Sequence, residues 1–245
     1  MENLLLIGMS QQLAMRRQMD ILANNIANMN TTAFKSESVL FEQHLVKTDS
    51  AERPARSLAF VRDVATIRNL TEGRSEPTGN PLDLAIVGQG FFTIGTSEGT
   101  RYTRNGHFML DPEGRLVTGE GDAVLDADGN EITIQPGETG LTITRDGSIS
   151  TSAGPKGRIG LVSFENEAEM KKIGTSLYDT SQRTEPSTSA QVIQGTLEQS
   201  NVEPVIEVTK MMQLLRNYQE VSSVMQRADE LSRQAIKEAG QIPQA

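Results

Sequence analysis

The chain of 245 residues has no cysteine, no tryptophan, two histidines and only 4% aromatic side chains. Without cysteine there is no disulfide framework, no thiolate metal site and no cysteine nucleophile. His44 and His107 each stand alone in sequence, too little for a histidine metal site or a Ser-His-Asp triad. So few aromatics make one large core hard to fill, because these side chains normally supply much of the buried area. Long apolar runs are missing as well. Leu4-Leu5-Leu6-Ile7 is the strongest near the start, far below the roughly 20 residues that span a bilayer. It follows Glu2 with no basic segment before it, so it does not read as a secretory leader.

Basic charge is scarce: 23 Lys and Arg face 32 Asp and Glu, a net charge of -9. That balance argues against nucleic acid as a partner. It is also local. Residues 1–35 carry +1 and residues 205–245 are neutral, which leaves 15 basic against 25 acidic side chains, a net of -10, in 36–204. Two nearly neutral ends flank an acidic centre.

The hydrophobic period changes where the charge does. Met15, Met19, Leu22, Ile26 and Met29 step by four and three, the seam of an amphipathic helix. Continued backwards, the seam meets Gln12 and Gly8 before Leu5, so the first turns are less regular. Thr31 and Thr32 weaken helical preference and predict an end near 28–32. Leu214, Tyr218, Val221, Met225, Ala228, Leu231 and Ala235 repeat the pattern, with Asn201 or Glu203 near the start and Gly240 and Pro243 closing it. At about 1.5 Å per residue, a helix over 204–239 is about 54 Å long.

Between these helices the period is two. Phe91–Ile94, Arg101–Arg104, His107–Leu110, Leu116-Val117, Ala123–Leu125, Ile132–Ile134, Leu141–Ile143 and Ile159–Val162 are short strand candidates. Turn residues separate them, which reads as a compact antiparallel β domain. Asn105-Gly106 is read as a hairpin turn between two of them, and Asp111-Pro112-Glu113-Gly114 as a further turn. Residues 36–80 read as a connector with a short ordered piece around Leu40–Val46, and the Ser/Thr-rich 179–203 as a return connector.

Motifs that carry chemistry do not survive inspection. Gly88-Gln89-Gly90 opens like a dinucleotide loop, but Thr93 replaces the third glycine and no helical pattern follows. A tight strand entry is the better reading. Asp126–Glu131 resembles part of a calcium loop, yet its Gly129 is fourth rather than sixth and the twelfth residue is Gly137. An Asp-Gly turn fits. Carboxylates are plentiful, but none is singled out as a catalytic pair. Met9, Met15, Met19 and Met29 suit ordinary seam packing better than a promiscuous groove.

Two long helices with one seam each cover one another along a single stripe and lack a third partner. Either the β domain or further copies must complete the coat, and the neutral ends tolerate like-with-like packing. The expectation is an oligomer or filament built through the ends, with the acidic β domain outside.

Four stretches, in order, carry a family resemblance. Ala23–Lys35 (ANNIANMNTTAFK) is similar to the N-terminal signature of flagellar rod and hook proteins, and Met1–Ser10 with Arg16–Asp20 resembles its proximal-rod members. Pro81–Ile86, Gly88–Phe92 and Arg101–Gly106 resemble the shared β domain, and Gly195–Val202 the C-terminal signature. Ala33 stands where the family usually has glycine, and would be strained if that position needs a positive φ.

The resemblance implies an α+β protein, a central mainly antiparallel β domain flanked by N- and C-terminal helices that pack together as a coiled-coil-like assembly domain. The expected division is 1–35 for the first helix, 36–80 connector, 81–178 β domain, 179–203 return connector and 204–245 for the last helix. The implied role is a non-enzymatic proximal-rod subunit, without cofactor, metal or small-molecule substrate. Its implied partners are further copies, other rod subunits and the flagellar type III export apparatus. Its implied place is the basal-body rod across the periplasm, reached without a cleaved signal peptide, with helices that order on assembly. Expected assembly residues are Leu5, Met9, Met15, Met19, Leu22, Ile26 and Met29, with Leu214, Tyr218, Val221, Met225 and Leu231. Asn24, Asn25, Asn28 and Asn30 are expected either to bridge neighbouring backbones or to be a solvated helix end. A distal-rod or hook subunit is the alternative within the family, and a soluble carboxylate hydrolase the alternative outside it.

Overall fold

The computed structural model describes residues 2–50, 53–187 and 189–239. The chain divides into two compact units. One comprises Met1–Ala27, Glu37–Arg68 and Glu203–Ala245; the other comprises Asn28–Ser36 and Asn69–Val202. N- and C-terminal helices therefore flank a mostly antiparallel β domain in sequence.

The first unit holds α1 (Glu2–Ala27), β1 (Glu37–Ser50), β2 (Arg53–Arg68) and α2 (Pro204–Ala239). α2 starts on Pro204, which suits a first helical position because no intrahelical partner awaits its missing N–H. Glu207 lies in the first turn, where a negative charge complements the helix dipole. α1 stops at Ala27, just before Asn28, whose carbonyl accepts a turn bond from Thr31 N–H at 3.1 Å.

The stretch 36–80, expected as a connector, instead contains one long antiparallel ribbon. β1 and β2 pair from Glu37 opposite Arg68 to Ser50 opposite Arg53. The register shifts at Leu40/Phe41 and again at Thr48/Ser50. A bulge offsets the side-chain alternation, so no clean period-two pattern marks this ribbon in the sequence.

The second unit contains β3 (Ser75–Pro77), β4 (Leu84–Val87), β5 (Phe91–Thr96), β6 (Gly99–Thr103), β7 (Phe108–Leu110), β8 (Leu116–Thr118), β9 (Ala123–Val124), β10 (Thr142–Ile143), β11 (Ser148–Thr151), β12 (Gly154–Arg158), β13 (Leu161–Ser163), β14 (Lys171–Ile173), β15 (Leu177–Asp179), β16 (Glu185–Pro186), β17 (Gln191–Gln194) and β18 (Thr196–Glu198). The main sheet runs β14-β15-β6-β5-β9-β8-β7, with β13 joining β5 to β16. β10-β11-β12 form a second sheet, while β17 pairs β4 and β18 pairs β3. The segment 179–203, expected as a return connector, thus pairs three short strands back into the domain.

Alternation along β5 places Phe92 and Ile94 in one core, with Leu84, Ile86, Phe108, Val124 and Ile159. Phe91 faces the other way, into a cluster with Tyr102, Phe164, Met170 and Tyr178. Edge-to-face rings hold that cluster, with Tyr102 and Phe164 centroids 4.8 Å apart. Seven of the ten aromatic residues belong to this unit. The scarce aromatics are concentrated where a closed core needs them.

Two turns behave as expected and one does not. Gly114 closes the β7–β8 turn with φ 82, and Gly129 the 126–130 turn with φ 85. Asn105-Gly106 is not a hairpin turn, since β6 pairs with β5 and β15 while β7 pairs with β8. Gly106 instead passes against β4. Its carbonyl accepts Leu84 N–H at 2.9 Å, and a Cβ there would meet the Leu84 carbonyl oxygen at 1.8 Å. Close backbone approach, rather than a positive φ, requires this glycine.

Candidate assembly interface

In the first unit the two predicted seams meet. Met15, Leu22 and Leu214 are buried together, with Met19, Met211, Tyr218 and Val221 packed against them. Asn25 meets Glu207 at one end. At the other, the Gly8 position lies 2.8 Å from the Met225 sulfur, measured from a Cβ built on the glycine. The helices therefore run antiparallel, and Gly8, which interrupts the apolar pattern, is where Met225 comes closest.

Other expected seam residues are placed differently. Ile26 is half-buried, Met29 and Met9 are exposed, and Leu231 is 61% exposed. The side chains of Leu5 and His44 lie outside the described residues. Asn24 and Asn30 are exposed, and Asn28 accepts a hydrogen bond from the Thr31 hydroxyl at 3.1 Å.

Asn25 is buried and used within its own chain. Its amide donates to the Glu37 carbonyl at 2.8 Å and to Glu207 Oε2 at 3.0 Å, while its Oδ1 accepts Glu37 N–H at 3.0 Å. One side chain thus extends β1 by a mimicked strand partner and ties it to the start of α2. Lys210 donates to the other Glu207 oxygen at 2.7 Å, so the buried carboxylate is paired.

The second unit contains a charged node that sequence reasoning missed. Lys35, Arg104 and Glu198 are all buried. Glu198 Oε1 accepts Lys35 Nζ at 2.6 Å and Gly73 N–H at 3.0 Å, and Oε2 accepts Arg104 Nε at 3.0 Å. Arg104 also donates to the carbonyls of Ile86, Gly88 and Gly90. Lys35 donates to the Thr71 carbonyl at 2.7 Å. Gly73 is obligatory here, since a Cβ would stand 1.9 Å from the Gln199 carbonyl oxygen. α2 begins directly after Glu203, one of the two residues expected near its start; the other, Asn201, accepts Ser36 N–H at 2.8 Å and donates to the Asn69 and Thr71 carbonyls.

The electrostatics of the node follow from burial and neighbours. Burial alone would raise the Glu198 carboxyl, but Arg104, Lys35 and the hydrogen bonds outweigh it and hold it below the usual range. Burial lowers the Lys35 ammonium despite Glu198. Burial also raises nearby Glu167, against the pull of Arg104 and Lys35; its Oε1 is buried without a hydrogen-bond partner.

Ala33 sits beside this node with φ 56, and its N–H donates to the Glu198 carbonyl at 2.7 Å. The position does take the left-handed region that favours glycine. Among the described residues no group of three or more His, Asp or Glu is placed to hold a metal ion. No described helix is long and apolar enough to cross a membrane. His107 pairs with Asp83 at 2.8 Å.

The sequence has counterparts among known proteins. Family models match in chain order: flagella basal body rod protein over residues 5–35, flagellar hook protein FlgE/F/G D1 domain over 85–151, and flagellar basal body rod FlgEFG protein C-terminal over 193–238. Across 250 residues, covering 99% of this chain and 100% of the relative, it is 44% identical to flagellar basal-body rod protein FlgF of Caulobacter vibrioides. The chain belongs to the flagellar basal-body rod protein family. It is likewise similar to FlgF of Mesorhizobium japonicum, at 33% identity over 98% of this chain and 99% of that one. FlgG of Bacillus subtilis is 33% identical over 94% and 96%. A rod-family protein is structural and not an enzyme, which sets the hydrolase reading aside. Each matched segment contributes one member of the node: Lys35, Arg104 and Glu198.

Proposed function

We propose that this rod-family chain is a proximal-rod subunit of the bacterial flagellar basal body. It polymerises through its terminal helices with further copies and other rod subunits into the axial shaft that transmits torque from motor to hook. It reaches the periplasm through the type III export apparatus without a cleaved signal. Residues 1–35 and 204–245 supply the coiled-coil-like assembly region, 81–178 the body of the β domain, and 36–80 and 179–203 the passages between them.

One observation carries the reading. The α1–α2 seam buries Met15, Leu22 and Leu214, yet large apolar side chains on both helices stay exposed. A helix pair of this length completes its apolar coat by association. Of the expected assembly residues, Met15, Met19, Leu22, Leu214, Tyr218, Val221 and Met225 build the pair itself, and Met9 and Leu231 are available to neighbours.

Met19→Asp or Tyr218→Asp is expected to abolish swimming while the purified β domain signal in near-UV circular dichroism is retained. Normal motility with either variant would refute the seam assignment. The distal-rod alternative is supported by the 33% identity to a FlgG protein. A deletion strain whose basal bodies arrest at the earliest rod stage favours the proximal place; arrest after a proximal rod has formed favours the distal one.

A further inference from the structure

α1 and α2 each carry a second apolar stripe outside their shared seam. On α1 it is Leu6, Met9 and Leu13, at 54%, 55% and 60% exposure. Steps of three and four put them on one line, about 150° from the seam at about 100° per residue. On α2 it is Val205, Val208, Met212 and Leu215, with Val205 80% exposed, again on one line turned away from the seam.

The stripes lie at opposite ends of the pair. Gly8 faces Met225 while Asn25 faces Glu207, so the α1 stripe is level with the far half of α2, about 14 residues from the α2 stripe. At about 1.5 Å per residue the offset is about 20 Å. Within one chain the two stripes cannot reach each other.

We infer that a second copy of this chain, displaced by about 20 Å along the helix axis, docks its α2 stripe on the α1 stripe of the first. This rests on the rod reading and adds which faces meet and in what register. Two observations select the arrangement. Aligned antiparallel, as in the pair itself, the contact brings exposed Arg16 and neighbouring Arg17 to the level of exposed Glu203. Aligned parallel, it brings them to Arg216, a like-charge clash. A face-to-face meeting of two α1 stripes closes a dimer and leaves both α2 stripes bare. The heterologous contact covers both stripes with one repeated interface and leaves a free end for the next copy.

The absence of cysteine makes the test clean. Met9→Cys and Met212→Cys chains are co-expressed, basal bodies are isolated and oxidised, and disulfide-linked peptides are read by mass spectrometry. The expected product joins position 9 of one chain to position 212 of another and needs both variants. Products joining 9 to 9 or 212 to 212, or an interchain link from 9 to Val224→Cys at zero offset, overturn it. So does a chain that is present in basal bodies with no link to another copy, and that result leaves the rod reading intact. Absence of the unsubstituted chain from basal bodies sinks the rod reading and this inference with it.

A second measurement needs no cysteine. Leu13→Glu is expected to lower subunit incorporation by at least about tenfold through loss of buried apolar contact, and Val208→Lys in the same chain to restore swimming. If Val208→Lys rescues no better than Val224→Lys, with the chains present at equal levels, the register is wrong.

Discussion

The two compact units differ in what they leave unfinished. In the β unit, fully buried Phe92, Ile94, Val124 and Ile159 form a closed core, and the buried Glu198 carboxylate has three donor contacts, from Lys35, Gly73 and Arg104. In the helical unit, among the described residues, Met15, Leu22 and Leu214 form the buried cluster, while Leu13, Met212 and Val205 face solvent. A unit with a paired ion node and a closed core is stable alone; one with exposed apolar stripes is stable in company. Division of labour within one chain follows from where its apolar residues fall.

The largest blow to this contrast is aimed at the node. Glu198→Gln leaves the buried Lys35 and Arg104 charges without their counter-ion, and breaking a buried pair in this way costs about 3–5 kcal/mol. Urea unfolding of the β unit should show that loss with helix content at the ends unchanged. A shift within experimental scatter would mean the node does not hold the β unit together.

The seam comes next. Leu22→Ala removes a buried side chain from the helix cluster, a change worth about 2–5 kcal/mol where packing is tight. Far-UV circular dichroism should report lost helix, with the denaturation midpoint of the β unit held. Equal destabilisation of both signals would show one cooperative unit rather than two.

Acid sharpens the contrast further. Glu198 titrates lower in the folded protein than its ordinary value of 4.5. Its stabilisation is therefore full above pH 4.5 and is lost as pH falls through the lowered value. Glu167 is shifted upwards and acts in the opposite sense, favouring the folded state as its carboxyl becomes protonated. Because two cations face Glu198 directly, the β unit should lose stability below pH 4.5, and Glu198→Gln should flatten that dependence. A variant that retains the full acid slope would assign it elsewhere.

The smallest effect is at Ala33. A non-glycine residue in the left-handed region costs about 1–2 kcal/mol, offset in part by the greater unfolded-state freedom of glycine, about 0.4–1 kcal/mol. Ala33→Gly should raise the melting temperature of the β unit slightly. A lower melting temperature would mean that the buried Ala33 methyl contributes more through packing than its φ costs.

How much was legible in the sequence depended on the range of the interaction. Met15, Met19 and Leu22 announce a helix face by spacing alone, and Leu214, Tyr218 and Val221 do the same. The register shift at Leu40/Phe41 breaks the alternation that marks a strand, so the long ribbon read as a connector. Glu198 is 163 positions from Lys35 and 94 from Arg104, and no local pattern links them. Their signature strings were recognisable, but not the ion node that joins them. Asn25 was one of four asparagines expected either to bridge neighbouring backbones or to be a solvated helix end, and it bonds the Glu37 backbone of its own chain. Asn105-Gly106 misled because the same dipeptide serves a close backbone crossing as well as a hairpin.

Amide hydrogen exchange on the purified full-length monomer tests the contrast most directly. Slow exchange in β4–β9 and β17, with fast exchange along α1 and α2, is the expected pattern. Terminal helices as protected as the β core in a dilute monomer would contradict it.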